Sequence, residues 1–354
     1  MTRFGAPFFT AVSVSKNSFL AARGARLEND LVRDFGDPAG ELAATTSAGV
    51  LAELSQFGVL AFTGDDARAF LNGQLSCDVA NLANDAGAYG AYCSAKGRVL
   101  ANFLLWREAL EFRMLLARSL VLPVRDRLQK YVLRAKVAIQ ERTDEVVVLG
   151  AAGRPAADEV AGWIGRLAPS PLAIDRRNGF AAIAVPAGRF LLTARTESAQ
   201  AAWDRLSRAL RPVGAACWDW LEIANGVPWI TVATQDRFVP QMVNLELLGG
   251  VSFQKGCYPG QEIVARTQHL GNLKRRLHLA NVGADTMSAP GEELFSDDLG
   301  AQSVGTVVNA APAPAGGFDI LAVVQTASAA TAKVRLGSPS GYELHFRPLP
   351  YTVP

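Results

Sequence analysis

The stretch FQKGCYPGQEIVAR, from Phe253 to Arg266, brings together a lone thiol, a basic side chain, turn residues and a helix start. Its centre, Tyr-Pro-Gly, is typical of a turn, and Pro259 is also suited to the first position of a helix. From Gln261 onward the spacing predicts a helix. Cys257 is therefore expected just ahead of a helix N-terminus, where backbone amides and the Lys255 ammonium favour a thiolate over a thiol.

The same residues also have a purely structural interpretation. Cys257 can be a small buried apolar residue, and Gly256 and Gly260 can serve only to let the backbone turn. Glu262 and Arg266, four residues apart, can be a solvated pair on a helix surface. Spacing alone leaves both interpretations open.

The run from Lys255 to Glu262, written K-G-C-Y-x-G-Q-E, resembles the signature of the YgfZ proteins, which are folate-binding relatives of the glycine-cleavage T protein (aminomethyltransferase). Its flanks are similar to the family as well: GVP at 226–228, FVPQ at 238–241, GGVSF at 249–253 and KRRL at 274–277. A second block resembles the N-terminal half of the family, with FLNGQLSCDV at 70–79 and SAKGRVL at 94–100.

The resemblance implies an α+β, multi-module fold of the aminomethyltransferase type, arranged around a central opening in which folate binds, with a small C-terminal β-barrel. Alternating strand and helix patterns agree with mixed α+β modules. Strands are predicted near 49–63, 87–94, 98–106, 110–117, 145–150, 171–175, 180–185 and 189–194, and helices near 119–134, 155–166 and 196–211. The expected divisions are an N-terminal extension at 1–44, a first folate-binding module at 45–144 plus 213–268, an inserted second module at 145–212, and the barrel at 269–354.

For function, the resemblance implies a tetrahydrofolate-binding accessory protein that supports iron-sulfur cluster assembly or repair in client enzymes, including those that modify tRNA. The implied cofactor is tetrahydrofolate or another reduced folate. The implied partners are folate and iron-sulfur client enzymes or assembly proteins, with no stable direct binding of nucleic acid. Cys257 is then the chemically active residue, assisted by Lys255, and the candidate cofactor-binding residues are Tyr258, Gly256, Gly260, Gln261, Glu262, Arg266, Asn225, Gln241, Asn244 and Asn102.

Several of these polar residues are equally suited to structural roles. Asn225, Gln241 and Asn244 stand in apolar surroundings, and Asn102 can be a strand residue bonded to a neighbouring loop. The aminomethyltransferases carry carboxylates just after the glycines of their N-terminal block, where this chain has Ala101 and Asn102. Neither can act as a base, so glycine-cleavage activity is not expected. Folate-dependent C1 transfer or demethylation remains the alternative function.

Composition narrows the class of protein further. A net charge of +2 gives no strong field for duplex nucleic acid, although Lys274-Arg275-Arg276 could border a pocket for an anion such as the glutamate tail of folate. The four cysteines include no C-x-x-C pair, which predicts no metal site and a reducing compartment. No apolar run is long enough for a membrane span. The basic N-terminal tail resembles a mitochondrial transit peptide, but a bacterial cytoplasmic location is preferred.

Overall fold

The computed structural model describes residues 18–165, 170–177, 179–269, 273–285 and 288–354. Most of the basic N-terminal tail and the Leu270-Gly271 continuation of the signature lie outside these residues. The described chain begins with a short helix, a hairpin and a second helix: α1 Ser18–Ala21, β1 Arg26–Glu28, β2 Leu31–Asp34 and α2 Pro38–Ser47. The Asp37 side chain caps α2 by accepting a hydrogen bond from the Gly40 amide.

The next segment builds the first sheet and the helices that cover it. Its elements are β3 Val50–Glu53, β4 Phe57–Thr63, α3 Ala67–Gln74, β5 Gly87–Cys93, β6 Val99–Glu108, β7 Glu111–Ala117, a 3-10 turn Arg118–Leu120, α4 Val121–Val132 and β8 Ala138–Glu141. The sheet is antiparallel in the order β5-β6-β7-β4-β8. Both faces of β6 are buried from Val99 to Trp106, and every residue in this run except Asn102 is apolar. Phe103 and Leu105 enter one core, and Leu104 and Trp106 enter another.

A second, six-stranded sheet follows. The chain forms β9 Val146–Ala152, α5 Arg154–Ile164, β10 Ile174–Arg177, β11 Phe180–Val185, β12 Arg189–Arg195, α6 Thr196–Leu206 and β13 Arg211–Val213. The sheet order is β10-β11-β12-β9-β3-β13, so β3 joins this sheet and pairs in parallel with β13. The module boundaries given above remain a prediction of domain organisation. Strand β3, from the first predicted module, joins the second sheet, and β13 spans the predicted boundary at residue 212.

The signature segment and the third sheet complete the chain. They contain α7 Ala215–Ala224, a 3-10 turn Pro240–Val243, α8 Gln261–His269, β14 Arg275–Val282, β15 Glu293–Ser296, β16 Ser303–Pro312, β17 Phe318–Gln325, α9 Thr326–Thr331, β18 Val334–Leu336 and β19 Leu344–Arg347. The sheet order is β18-β15-β16-β17-β14-β19. It curls into a half-barrel whose two edges meet at a single bridge between Arg335 and Glu343.

Four apolar cores hold these layers together. One lies between the first sheet, its helices and the outer face of the third sheet, where Leu279 and Leu321 pack with Phe103. Another joins the opposite face of the first sheet to the second sheet and α7, around Trp106 and Trp218. The third core lies between the second sheet and the helices α5 and α6. The fourth lies inside the curled third sheet. The first sheet therefore contacts both of the others, which brings elements of all three together.

The predicted elements are present, with differences at their ends. The helix predicted to reach residue 211 ends at Leu206, because the chain turns there to enter β13 beside β3. The helix predicted over 119–134 is α4 preceded by the 3-10 turn. Pro259 lies in the turn and not in α8, which begins at Gln261.

Candidate functional site

The signature turn is docked on the tip of the β5–β6 hairpin. Gly260 has a φ of +81°, and a Cβ atom placed on it would stand 2.4 Å from the Ser94 carbonyl oxygen and 2.5 Å from the Gly97 Cα. Gly97 has a φ of +71°, and Ile263 of α8 lies against it. Glycine is required at position 260 by both conformation and space. The two sequence blocks that resemble the family are thus in direct contact.

Hydrogen bonds fix the segment that leads into this turn. The Ser76 hydroxyl donates to the Gly250 carbonyl over 2.6 Å, and the Ser252 amide donates to the Ser76 carbonyl over 2.9 Å. Ser76 is completely buried and its hydroxyl also accepts from the Ala91 amide. The residues before Lys255 are therefore held on the first sheet by its own loop after α3.

Lys255 is bound to main-chain oxygens. Its ammonium donates to the carbonyls of Asn72, Leu75 and Cys77, which end α3 and begin the following loop. This places a cation at the C-terminus of α3, where the helix dipole favours it. The ammonium also lies 5.3 Å from the centroid of the Tyr258 ring. In the described chain the hydrogen bonds of this ammonium go to these carbonyls, and none goes to the Cys257 thiol. The geometry therefore indicates that Lys255 docks the loop. It gives no support for the expected activation of the thiol by Lys255.

Cys257 differs from the other three cysteines in being exposed. Cys77, Cys93 and Cys217 are buried, and burial raises the pKa of each to about 12. A thiol with such a pKa is almost entirely protonated and unreactive near neutral pH. The alternative that Cys257 is a buried packing residue is wrong. It is the accessible thiol of the described chain.

The remaining signature residues shape the loop and the start of α8. Tyr258 is 6% exposed, and its carbonyl accepts from the Gln261 amide to close the turn. Gly256 is exposed, with no atom near the position of a Cβ. Gln261 is half-buried, while Glu262 and Arg266 are exposed and form no ion pair with each other in the part of the chain that is described.

The other candidates for folate contact are used within the protein. The Asn225 amide donates to the Leu221 carbonyl at the end of α7. Gln241 is 1% exposed and donates to the Val264 carbonyl over 2.7 Å, which fastens α8. Asn244 is completely buried with a φ of +55°, and its amide donates to the Leu277 carbonyl.

Asn102 is likewise satisfied by a neighbouring loop. It is 2% exposed, its amide nitrogen donates to the Pro228 carbonyl and its amide oxygen accepts from the Ile230 amide, each over 2.7 Å. Asn102 therefore fixes the loop that carries Trp229. The structure therefore supports the interpretation of Asn102 as a strand residue bonded to a neighbouring loop.

The basic run at 274–276 is only partly available to an anion. Arg276 is largely buried, forms an ion pair with Glu246, and donates to the Gln241 carbonyl over 3.0 Å. Lys274 is exposed.

A central cavity of about 170 Å³ opens between the first sheet, the third sheet and helix α7. Its walls come from the start of β4, the end of β7, α7, the loop after Pro228, and β16. They are formed by Gln56, Phe57, Ala117, Asp219, Glu222, Ile223, Trp229, Thr231, Pro290, Asn309 and Ala310. The volume lies below the roughly 300–1,000 Å³ of cavities for drug-sized ligands, so it suits a ring-sized portion of a ligand.

Two carboxylates of α7 give this cavity its electrostatic character. Asp219 remains partly accessible although protein surrounds it, and its Oδ1 accepts from Gln56 Nε2 over 3.0 Å. Desolvation raises its pKa to about 6, with a smaller upward contribution from Glu222, against the lowering effect of the Gln56 hydrogen bond. Glu222 is paired over 2.8 Å with the buried Arg189, whose guanidinium stacks on Trp218.

These cavity residues are absent from the candidates that the sequence suggested. A signal was present: Asp219 and Glu222 stand three residues apart, on one face of an otherwise apolar helix, which is an uncommon place for two carboxylates. Gln56, Trp229 and Asn309 carry no comparable signal, because only the packing of the sheets brings them to the same cavity.

The fold is that of an aminomethyltransferase-like protein. The GCVT N-terminal domain family matches residues 31–168. The crystal structure of the glycine cleavage system aminomethyltransferase T from Bartonella henselae superposes with a TM-score of 0.76 at 16% identity, covering 96% of this chain and 97% of that one.

Sequence relatives define the family within this fold. The tRNA-modifying protein YgfZ of Yersinia pestis (strain Pestoides F) is 32% identical over 307 residues, which is 86% of this chain and 92% of that protein. The protein of the same name from Shigella sonnei (strain Ss046) is 31% identical over 306 residues, 86% and 93% of the two chains. The chain belongs to the YgfZ family.

The described residues contain no cluster of three His, Cys, Asp or Glu side chains suited to holding a metal ion. None of their helices is both long and apolar enough to cross a bilayer.

Proposed function

We propose that this protein binds tetrahydrofolate, or another reduced folate, in the central cavity and acts as an accessory protein for iron-sulfur client enzymes, including enzymes that modify tRNA. The observation that carries the proposal is the cavity itself, walled by the first and third sheets and helix α7 and lined by aromatic and hydrogen-bonding side chains. The name of the relatives, tRNA-modifying protein, supports the link to tRNA.

The lining suits the ring system of a folate better than its tail. Phe57 and Trp229 form an apolar wall, with ring centroids 4.5 Å apart. Gln56 Oε1 and Glu222 Oε2 are buried and have no hydrogen-bond partner in the described chain. Buried polar atoms are nearly always paired, so these atoms are available to a bound ring. When bound there, a reduced folate supplies a carrier for one-carbon groups.

An accessory role is favoured over aminomethyl transfer by the bonding of Asn102. Both polar atoms of its amide are engaged with the 228–230 loop, so this position offers neither a base nor a free hydrogen-bonding group. The exposed Cys257 is the proposed reactive group, presented by the signature turn on the first sheet.

Binding is tested by titrating the protein anaerobically with tetrahydrofolate and following Trp229 fluorescence and heat. We expect saturable quenching in the micromolar range, which Trp229→Phe removes while the heat of binding remains. Absence of both signals at high micromolar folate removes the cofactor from the proposal.

The cellular role is tested in a deletion strain of a bacterium that carries a YgfZ protein. The parent chain is expected to restore cluster-dependent tRNA thiolation, measured by mass spectrometry of nucleosides, and Cys257→Ala is expected to restore much less. Equal restoration by Cys257→Ala contradicts the role of the thiol. Robust formation of methylenetetrahydrofolate from an aminomethyl donor would instead favour the C1-transfer alternative.

A further inference from the structure

The polar atoms of the central cavity are mainly acceptors. Asp219 Oδ2 has no hydrogen-bond partner in the described chain, and neither do Gln56 Oε1 and Glu222 Oε2. The Gln56 amide is oriented by its Nε2, which donates to Asp219, so its oxygen is the atom left over. Donors are fewer: Trp229 Nε1 has no partner in the described chain, and the Thr231 hydroxyl can donate or accept. A ligand that satisfies this cavity must bring several N–H or O–H groups.

The same lining disfavours an anion. No Lys, Arg or His side chain is among its lining residues, and Arg189, which pairs with Glu222, is itself buried. A carboxylate or phosphate would meet two carboxylates in a poorly solvated space, where like charges repel strongly. The glutamate tail of a folate is therefore excluded from this cavity, and an uncharged, donor-rich ring is admitted.

The walls are fixed before any ligand arrives. Asn309 holds the main chain of Trp229 from one side, accepting from its amide over 2.8 Å and donating to its carbonyl over 2.9 Å. Asn102 holds the residues on either side of Trp229. A site whose walls are held in this way loses little conformational entropy when a flat ring enters.

We propose that Asp219 supplies, from α7, the carboxylate that binds the donor edge of a 2-amino-4-oxopyrimidine ring, which is the head group of a reduced folate. This inference rests on the proposed folate function and adds the residue and the part of the ligand that it recognises. The ring N–H and the exocyclic amino group lie side by side, so one carboxylate can accept from both, and charge-assisted bonds of this kind are the stronger ones. The donor edge of the ring binds only to the ionised carboxylate. In a protonated Asp219 the carboxyl O–H would face an N–H of the ring, and two donors do not form a hydrogen bond.

Several charged or titratable groups surround Asp219 and enter any pH dependence. Cys217 and Glu222 lie on α7 itself, and Arg189 lies beyond Glu222. Glu53 precedes the turn that carries Gln56, and Arg118 follows Ala117 at the cavity wall. The loop with Trp229 and strand β16 contribute only uncharged residues to the lining.

The test uses the full chain and three probes under anaerobic conditions. They are tetrahydrofolate, 6-methyltetrahydropterin, which lacks the p-aminobenzoylglutamate tail, and p-aminobenzoylglutamate, which lacks the pterin ring. We expect both ring-containing probes to bind about 10- to 100-fold more weakly to Asp219→Asn than to the parent, the range expected for loss of a charged hydrogen-bond partner. The exposed Asp65→Asn is the control and should bind like the parent. Binding to the parent should also weaken about tenfold per pH unit below pH 6, whereas Asp219→Asn should show a flat profile.

The outcomes separate the two proposals. No binding of tetrahydrofolate to the parent overturns the folate function and this inference together. Binding of tetrahydrofolate that is unchanged by Asp219→Asn and independent of pH overturns this inference and leaves the function standing. Arginine or putrescine offers similar donors on a cation, and binding of these in place of the tetrahydropterin, lost in Asp219→Asn, overturns the assignment of the ring.

Discussion

Gly260 of the signature lies against Gly97 of the β5–β6 hairpin, with room for neither to carry a side chain toward the other. The contact joins two motifs that are 163 residues apart in the sequence. Through this contact the signature turn packs on the first sheet. The signature turn and the β5–β6 hairpin thus form one close backbone contact.

The first prediction concerns this contact. Gly260→Ala would place a methyl group 2.4 Å from the Ser94 carbonyl oxygen at a φ of +81°, and we expect it to lower the free energy of unfolding by more than about 2 kcal/mol. Gly256→Ala is the matched control, since no atom lies within 4 Å of its Cβ position. Urea denaturation measures both, and equal stability of the two variants would contradict the close approach.

The second prediction concerns Lys255. Lys255→Met removes the three hydrogen bonds to the carbonyls of residues 72, 75 and 77, and we expect a loss of about 1–3 kcal/mol in stability. The exposed Lys136→Met should change it by less than about 0.5 kcal/mol. The alkylation rate of Cys257 in folded Lys255→Met should stay close to that of the parent. A large fall in that rate without a loss of stability would restore Lys255 as the activator of the thiol.

The third prediction concerns the four thiols. Iodoacetamide should modify one cysteine per native chain, at Cys257, because Cys77, Cys93 and Cys217 are buried and their pKa values are raised to about 12. Mass spectrometry should find no native modification in Cys257→Ser, and modification of all four thiols in denatured parent protein. Rapid native labelling of a second cysteine would show that the buried sites open readily.

The fourth prediction concerns Asn102. Asn102→Ala leaves the Pro228 carbonyl and the Ile230 amide without partners, and we expect it to lower stability by about 2 kcal/mol. Asn102→Asp restores the type of residue found in the aminomethyltransferases, but sets a carboxylate oxygen against the Pro228 carbonyl. It should be at least as destabilising and should produce no methylenetetrahydrofolate. Turnover by Asn102→Asp would show that this position alone separates the two activities.

The fifth prediction concerns Asp219 and pH. Its pKa rises from 3.8 to about 6 on folding, so the native state binds this proton more tightly than the unfolded state. The stability contributed by the neutral form is complete below pH 4 and is lost as the pH rises through 6. Asp219→Asn should therefore be more stable than the parent above pH 6, by about 1–3 kcal/mol after allowance for partial solvent access.

Thermal denaturation between pH 4 and 8 provides the measurement, with Asp65→Asn as the control. The difference from the parent should vanish near pH 4. A variant that is less stable than the parent at pH 7 would show that the ionised carboxylate stabilises the fold, contrary to the geometry. A gain in stability together with weaker ligand binding is the usual signature of a functional residue.

Much of this architecture is visible in the sequence. The strands β5 to β7 and the helix α4 follow from local periodicity, and the signature from 255 to 262 identifies the family, which the relatives confirm. These features depend on neighbours a few residues away, and local sequence encodes them directly.

The position of the candidate site required the tertiary structure. Lys255 stands two residues from Cys257 in the chain, yet its ammonium is bound more than 170 residues upstream. The sequence allows Asn102 to contact either a ligand or a loop. In the structure its amide is hydrogen-bonded to residues 228 and 230, so it contacts the loop.

By itself the sequence determined the family, the order of strands and helices, and the signature segment that carries Cys257. The tertiary structure alone decided that β3 completes the second sheet and that Asp219, Gln56 and Trp229 share one cavity. The physical reason is range: backbone propensity and hydrophobic period act over a few residues, whereas a cavity is formed by side chains from distant elements whose meeting depends on how whole sheets pack. Burial within that packing is also what raises the pKa of Asp219, so its chemistry belongs to the fold and not to its neighbours in sequence.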